Sequence, residues 1–174
     1  MTQLLVARPL WCHYGRMADE SVSDFGIIAW RDESGWNVSQ LTDTDLLGSI
    51  MDQLIERSRQ FGGAIALVSV AEDFFIVARE IGTEMKMMIS DATFGLDNEL
   101  AIDLLEMMDL PFPEEDDDSQ PGGDVDLLTD LGINYLELEA IASDDELYPD
   151  EAIEAIAKRL GFGDQFIDLY ENGE

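Results

Sequence analysis

The amino-acid sequence predicts an α+β protein: an antiparallel five-stranded sheet with two packed helices, followed by a small all-helical C-terminal region. Two observations support this class. Before residue 111, runs with strand-like apolar residues occur as a pair and then as a group of three, and each group is followed by a helix-like apolar repeat. After residue 123, apolar residues recur only at helical spacing. Apolar residues form 46% of the 174 positions, which is enough for a proper core.

The elements before residue 111 can be placed in order. They are strands over 25–30 and 36–41, a helix over 46–61, strands over 64–70, 74–78 and 85–90, and a helix over 96–108. The first two strands form a hairpin, and Thr42 or Thr44 is the expected cap of the first helix. The same element order occurs in longin and roadblock-like domains, so that topology is one alternative by fold analogy.

An acidic Pro/Gly-rich segment divides the chain. Residues 111–123 hold three of the five prolines and five consecutive acids, with almost nothing to bury, which is typical of a linker. We therefore predict an N-terminal extension (1–23), a sheet domain (24–110), this linker (111–123) and a short-helix region (124–174). For residues 1–23, a disordered extension and a native start at Met17 are both open.

The C-terminal region is predicted to contain four short helices. Gly132 ends the first, Asn134 caps the second, Pro149 opens the third and Asp164 caps the fourth. Four short helices bury little apolar surface by themselves. We therefore expect them to pack on the sheet or on a partner.

Charge and composition exclude several classes of protein. The chain has 39 Asp plus Glu against 9 Lys plus Arg, a formal net charge of −30. Direct binding to nucleic acid is excluded because phosphates are bound by Lys and Arg, and anionic membranes are disfavoured for the same reason. No apolar run is long enough for a membrane span or a signal peptide. A single cysteine fits a reducing compartment, so we expect a cytoplasmic protein.

The sequence shows no equipment for catalysis or for a cofactor. One cysteine, Cys12, and one histidine, His13, exclude Cys-rich zinc sites, His-based metal cages and nearly all Ser-His or Cys-His catalysis. Phosphate loops, dinucleotide fingerprints and nucleophile elbows do not occur. A calcium loop begun at Asp116 would place Pro121 and Leu127 where Gly and Glu are required. We predict no catalytic residue, no cofactor and no metal site.

The acidic surface is the remaining candidate site. Residues 111–174 carry 20 acids and 2 bases, against 19 acids and 7 bases before them. Such a surface suits a basic protein partner, or it serves solubility or a saline interior alone. The candidate partner-binding residues are Glu114, Glu115, Asp116, Asp117, Asp118, Asp124, Asp126, Asp130, Asp144, Asp145 and Glu146.

Three short motifs resemble those of a known family. They are ISDA at 89–92, GDVDLLTDLG at 123–132 and LGFGD at 160–164. In this order and spacing they resemble the tRNA adenosine deaminase-associated proteins of actinobacteria, over roughly 24–170. The resemblance implies a small acidic protein named for a gene that neighbours the deaminase, and it supplies no catalytic residues.

The chain cannot be the deaminase itself. A zinc deaminase needs H-x-E and P-C-x-x-C, whereas Tyr14 and Gly15 follow His13 and there is no second cysteine. Our main hypothesis is a non-catalytic acidic accessory protein that binds a basic protein partner, the tRNA adenosine deaminase or another tRNA-handling protein. The alternative is an acidic-cleft enzyme, or a protein that binds a divalent metal or a small ligand. The oligomeric state is left open.

Overall fold

The computed structural model describes residues 24–172, which form a sheet with helices on both faces. The predicted N-terminal extension, with Cys12, His13 and Met17, lies outside the described residues. No helix in the described part combines the length and the apolar character needed to cross a bilayer.

The sheet has six strands. They are β1 (Phe25–Asp32), β2 (Gly35–Gln40), β3 (Ile65–Val70), β4 (Phe74–Ile81), β5 (Glu84–Ile89) and β6 (Gly122–Gly123). Their order is β2-β1-β3-β4-β5-β6, and every neighbouring pair is antiparallel. The α+β class and the antiparallel sheet are therefore confirmed, whereas the count of five strands was wrong.

The sixth strand comes from the end of the predicted linker. Gly122 and Gly123 pair with Ile89 and Met88, and the Asp124 N–H donates to the Met87 carbonyl at 2.8 Å. Gly123 has φ +94°, and a Cβ there would lie 2.4 Å from that carbonyl oxygen. Backbone pairing of two glycines leaves no side-chain periodicity, so the sequence pattern could not predict this strand.

Five α-helices occur in the described residues. They are α1 (Leu47–Phe61), α2 (Glu99–Met107), α3 (Tyr135–Ala142), α4 (Pro149–Leu160) and α5 (Gly163–Asn172), with 3₁₀ turns at Ala92–Leu96 and Thr129–Leu131. The first predicted C-terminal helix is only the second of these 3₁₀ turns. It ends at Gly132, whose φ is +108°.

The predicted helix caps are partly right. Asn134 accepts from the Glu137 N–H, and Pro149 is the first residue of α4, both as expected. Thr42 and Thr44 do not cap α1, because its N-cap position is Leu46 and has no side-chain cap. Asp164 lies in the first turn of α5 rather than before it.

Each face of the sheet carries its own apolar layer. On the first face α1 and α2 bury Leu54 and Leu104 against Val68. On the second face α4 and α5 bury Ile153 and Phe166 together with the alternate strand residues that belong to this face, among them Leu67 and Val77. All six residues of β3 are buried because helices cover both sides of the sheet. The C-terminal helices therefore pack on the sheet, one of the two options that the sequence left open.

Candidate partner-binding surface

The acidic run of residues 114–118 is exposed in the connection between α2 and β6. A local turn orders it, since the Glu114 N–H donates to Asp117 Oδ2 at 2.8 Å. Next in the chain, Ser119 Oγ donates to Asp91 Oδ2 at 2.7 Å. Because Asp91 follows β5 closely, the run is held near the end of the sheet at which β5 stops.

The second predicted patch, residues 144–146, is exposed in the loop between α3 and α4. Early in α4, Asp150 accepts a hydrogen bond from the Tyr170 hydroxyl. The Tyr170 ring lies 4.9 Å from the ring of Phe25, the first residue of β1. In this antiparallel sheet β1 starts where β5 stops, so both exposed acidic loops lie toward the same end of the sheet.

The other three predicted acids lie elsewhere and have different surroundings. Asp130 accepts from Arg79 Nη1 at 2.7 Å and from Nη2 at 3.3 Å, and Asp124 Oδ2 accepts from the Met87 N–H at 3.3 Å. Asp126 is exposed. The pKa of Lys86 is raised chiefly by its hydrogen bond to Glu84, with further contributions from Asp124 and Asp126. These three acids therefore lie beside basic residues, apart from the two loops.

At the end of the sheet where β5 stops and β1 starts, the sequence analysis missed four further carboxylates: Asp24, Asp45, Asp73 and Asp97. Burial raises the pKa of Asp24; the N–H of Ala71, 3.1 Å from Asp24 Oδ1, opposes this, and repulsion by Asp45 and Asp73 adds to it. Burial also raises the pKa of Asp73, and Asp97 adds to this by repulsion. We call these four residues the acidic end of the sheet.

The acidic end follows from where acids occur relative to the strands. Asp24 immediately precedes β1 and Asp73 lies in the turn between β3 and β4, which antiparallel pairing brings together. This signal was available in the sequence. Asp45 and Asp97 precede α1 and α2, so their placement required the packing of those helices. Among residues 24–172 no three His, Cys, Asp or Glu side chains are grouped so that they could hold a metal ion.

The basic residues of the described part all lie toward the opposite end. Arg79 pairs across the sheet with Lys86 and with Ile65 at the start of β3, and the C-terminal halves of α1 and α4 supply the helical bases. The full set is Arg31, Arg57, Arg59, Arg79, Lys86, Lys158 and Arg159. The described bases are thus confined to one end along the strand direction, where acids such as Asp130 and Glu84 accompany them.

Most of these bases contact groups within the protein. The Arg57 guanidinium lies 4.0 Å from the centre of the Trp30 ring, and Arg31 lies 5.4 Å from that of Trp36. Arg159 Nε donates to Glu137 at 2.7 Å, in addition to the Arg79 pair described above. A cavity of about 180 Å³ is lined in part by Trp30, Trp36, Arg31 and Arg79. The bases at this end therefore form contacts that stabilise the fold, whereas acids are exposed at the opposite end.

Comparison with known proteins places the chain in a family. The model of the Rv3753c-like tRNA adenosine deaminase-associated proteins matches residues 24–163. The chain is 30% identical over 154 residues to Protein Rv3753c of Mycobacterium tuberculosis, covering 86% of this chain and 89% of that protein. No solved structure matches. These matches confirm the resemblance found in the sequence motifs, and the chain belongs to the Rv3753c-like tRNA adenosine deaminase-associated protein family.

Proposed function

We propose that this protein is a non-catalytic accessory protein that binds tRNA adenosine deaminase, or another basic tRNA-handling protein, through its acidic surface. The family description supports the association, since it names proteins associated with the deaminase and not the deaminase itself. The observation that carries the proposal is the uneven distribution of charge, since one end of the sheet carries acids without bases. The acidic end and the two exposed acidic loops lie toward the same end of the sheet, while the seven described bases lie toward the other end.

Electrostatic complementarity gives the physical reason. A protein that handles tRNA must present Lys and Arg to phosphate groups, and that surface attracts a protein of net charge −30. Such attraction speeds the encounter and makes binding depend on salt. It also makes the acidic protein a competitor of tRNA for the same face. Because its partner works on tRNA, we place this function in the cytoplasm.

The eleven predicted acids are expected to contribute unequally. Residues 114–118 and 144–146 are exposed, and the hydrogen bonds that Asp117 and Asp144 accept come from backbone N–H groups of their own loops, so these carboxylates can approach a partner without breaking the fold. Asp130 and Asp124 already accept hydrogen bonds within the protein, and we expect a smaller contribution from them. The acidic end adds long-range attraction to the same side of the molecule.

The test is a co-elution experiment with the deaminase from the same organism, at low and at physiological salt. The variant reverses Glu114, Glu115, Asp116 and Asp118 to Lys and spares Asp117, which orders the turn. The matched control reverses four exposed acids on α1 and α2, namely Asp52, Glu56, Asp103 and Glu106, and so changes the net charge equally.

We expect the wild-type complex to survive physiological salt and to be displaced by tRNA. The loop variant should bind at least about tenfold more weakly, with a flatter salt dependence, and the control should lose much less. Equal losses in both variants would show that total charge, and not this surface, matters. The absence of a complex at either salt would separate this protein from the deaminase.

A further inference from the structure

We propose that the free edge of β2 binds an extended basic segment of the protein partner, which adds to the sheet as a seventh strand. This inference rests on the proposed function, because it gives that function a defined contact. It follows from the backbone geometry of β2, from the composition of that strand and from the acids around it.

The first step is the direction of the backbone groups. β2 has one strand neighbour, β1, and lies at the edge of the sheet. The Leu41 N–H donates to the Gly26 carbonyl at 2.8 Å, which fixes the phase of the alternating ladder. Gly35, Asn37 and Ser39 therefore direct their backbone groups to β1. Those of Trp36, Val38 and Gln40 point away from the sheet.

The second step is what covers these outward groups. Gln165 Nε2 donates to the Trp36 carbonyl at 3.2 Å. No residue in the described part forms a hydrogen bond with the outward backbone groups of Val38 or Gln40. Natural edge strands are commonly protected by charged residues, by proline or by a bulge. β2 has none of these, since its sequence is GWNVSQ and its pairing with β1 is continuous over six residue pairs.

The third step is charge, which selects the occupant. Exposed acids lie at both ends of β2, with Asp32 and Glu33 before it and Asp43 and Asp45 after it, while the base Arg31, beside Asp32, lies over the Trp36 ring. Exposed acids also lie along α5, which packs against β2. A strand with an uncharged centre and Lys or Arg at its ends would be complementary to this edge. A second copy of this chain would instead bring like charges together.

The experiment uses amide hydrogen exchange measured by NMR on the full chain. The probe is a short synthetic peptide with lysines at both ends and alternating valine and threonine between them. The control peptide has glutamates in place of the lysines. We expect the lysine peptide to slow exchange at Trp36, Val38 and Gln40, whereas Asn37 and Ser39 are slow with or without it. The glutamate peptide should produce no such alternation.

Two proline variants test the edge directly. Gln40→Pro and Val38→Pro each remove an outward N–H that β1 does not use, so the hairpin is retained. Gln40→Ala and Val38→Ala keep the N–H and serve as matched controls. We expect the proline variants to bind the lysine peptide about tenfold more weakly and the alanine variants to bind within about threefold of wild type. Gln40 is exposed, so its variants remain informative if Val38→Pro fails to fold.

The outcomes separate this inference from the proposed function. Absence of alternating protection, or equal binding by the proline and alanine variants, would overturn the inference. So would protection of the same amides that depends on protein concentration without peptide, since it would show a second copy on the edge. If the deaminase binds but leaves β2 exchange unchanged, the proposed function stands and the edge is wrong. If the peptide binds as expected and the deaminase does not, strand addition at β2 is supported and the proposed partner is wrong.

Discussion

We expect Arg79 to stabilise the packing of the C-terminal helices on the sheet. Its hydrogen bond to a backbone carbonyl should contribute more to stability than its ion pair with a carboxylate. Its guanidinium donates to the Leu127 carbonyl at 2.9 Å and to Asp130 at 2.7 Å. Leu127 is 2% exposed, whereas the Asp130 side chain is 62% exposed. A hydrogen bond from a charged donor contributes about 1.5–3 kcal/mol, whereas an exposed ion pair contributes about 0–1 kcal/mol.

The substitution Arg79→Met keeps the aliphatic stem and removes the guanidinium. We expect it to lower the free energy of unfolding by about 2–3 kcal/mol in urea titrations, since the Leu127 carbonyl is left without its partner. Asp130→Ala should cost at most about 1 kcal/mol and should lose its effect in high salt. Lys86→Met is the matched control, because it also removes one positive charge, here from the exposed ion pair between Lys86 and Glu84. An equal cost for Asp130→Ala and Arg79→Met would refute this reasoning.

Three further changes test other parts of the structure. The raised pKa values of Asp24 and Asp73 mean that their ionisation opposes folding, so their contribution favours the fold most below their ordinary pKa of 3.8 and is lost as pH rises through the raised folded values. The thermal midpoint should therefore rise as pH falls through these raised pKa values toward 3.8, and Asp73→Asn should flatten that rise and increase stability at pH 7 by up to about 0.5 kcal/mol. Trp36→Phe removes the donor to the Leu160 carbonyl at 3.1 Å and should cost about 1 kcal/mol in urea titrations. Gly123→Ala should cost about 1–3 kcal/mol by calorimetry because of its positive φ and the nearby Met87 carbonyl, whereas Gly122→Ala, whose φ is not positive, should cost less.

Side-chain periodicity predicted the parts of the fold that bury side chains. The strand containing Leu67 and the helix containing Leu54 were predictable because burial imposes a repeat on the sequence. Gly122 and Gly123 carry no such repeat, and their strand exists through backbone pairing alone. The prediction that Thr42 or Thr44 caps α1 was wrong. The backbone of Thr42 instead forms hydrogen bonds with the side chain of Gln53, eleven residues later, and a contact of this kind leaves no repeat in the sequence.

The candidate surface was predictable in composition but not in arrangement. The run at 114–118 could be identified as acidic and exposed from the sequence alone. Its position beside the acidic end depends on strand pairing and on the contact between Ser119 and Asp91, which the sequence does not show. The partner of Asp130 was equally hidden, because Arg79 precedes it by 51 residues.

The acidic loops and the β2 edge should control different rate constants of one complex. Long-range attraction acts during the encounter, so reversing the acids of residues 114–118 should lower the association rate and reduce its dependence on salt. Strand pairing forms only after contact, so Gln40→Pro should raise the dissociation rate and leave association nearly unchanged. Surface plasmon resonance with the immobilised deaminase, at several salt concentrations, would measure both rates for each variant and for Gln40→Ala. If Gln40→Pro slowed association as much as the charge reversal does, strand addition would have to precede the encounter, and this division between attraction at a distance and pairing on contact would be wrong.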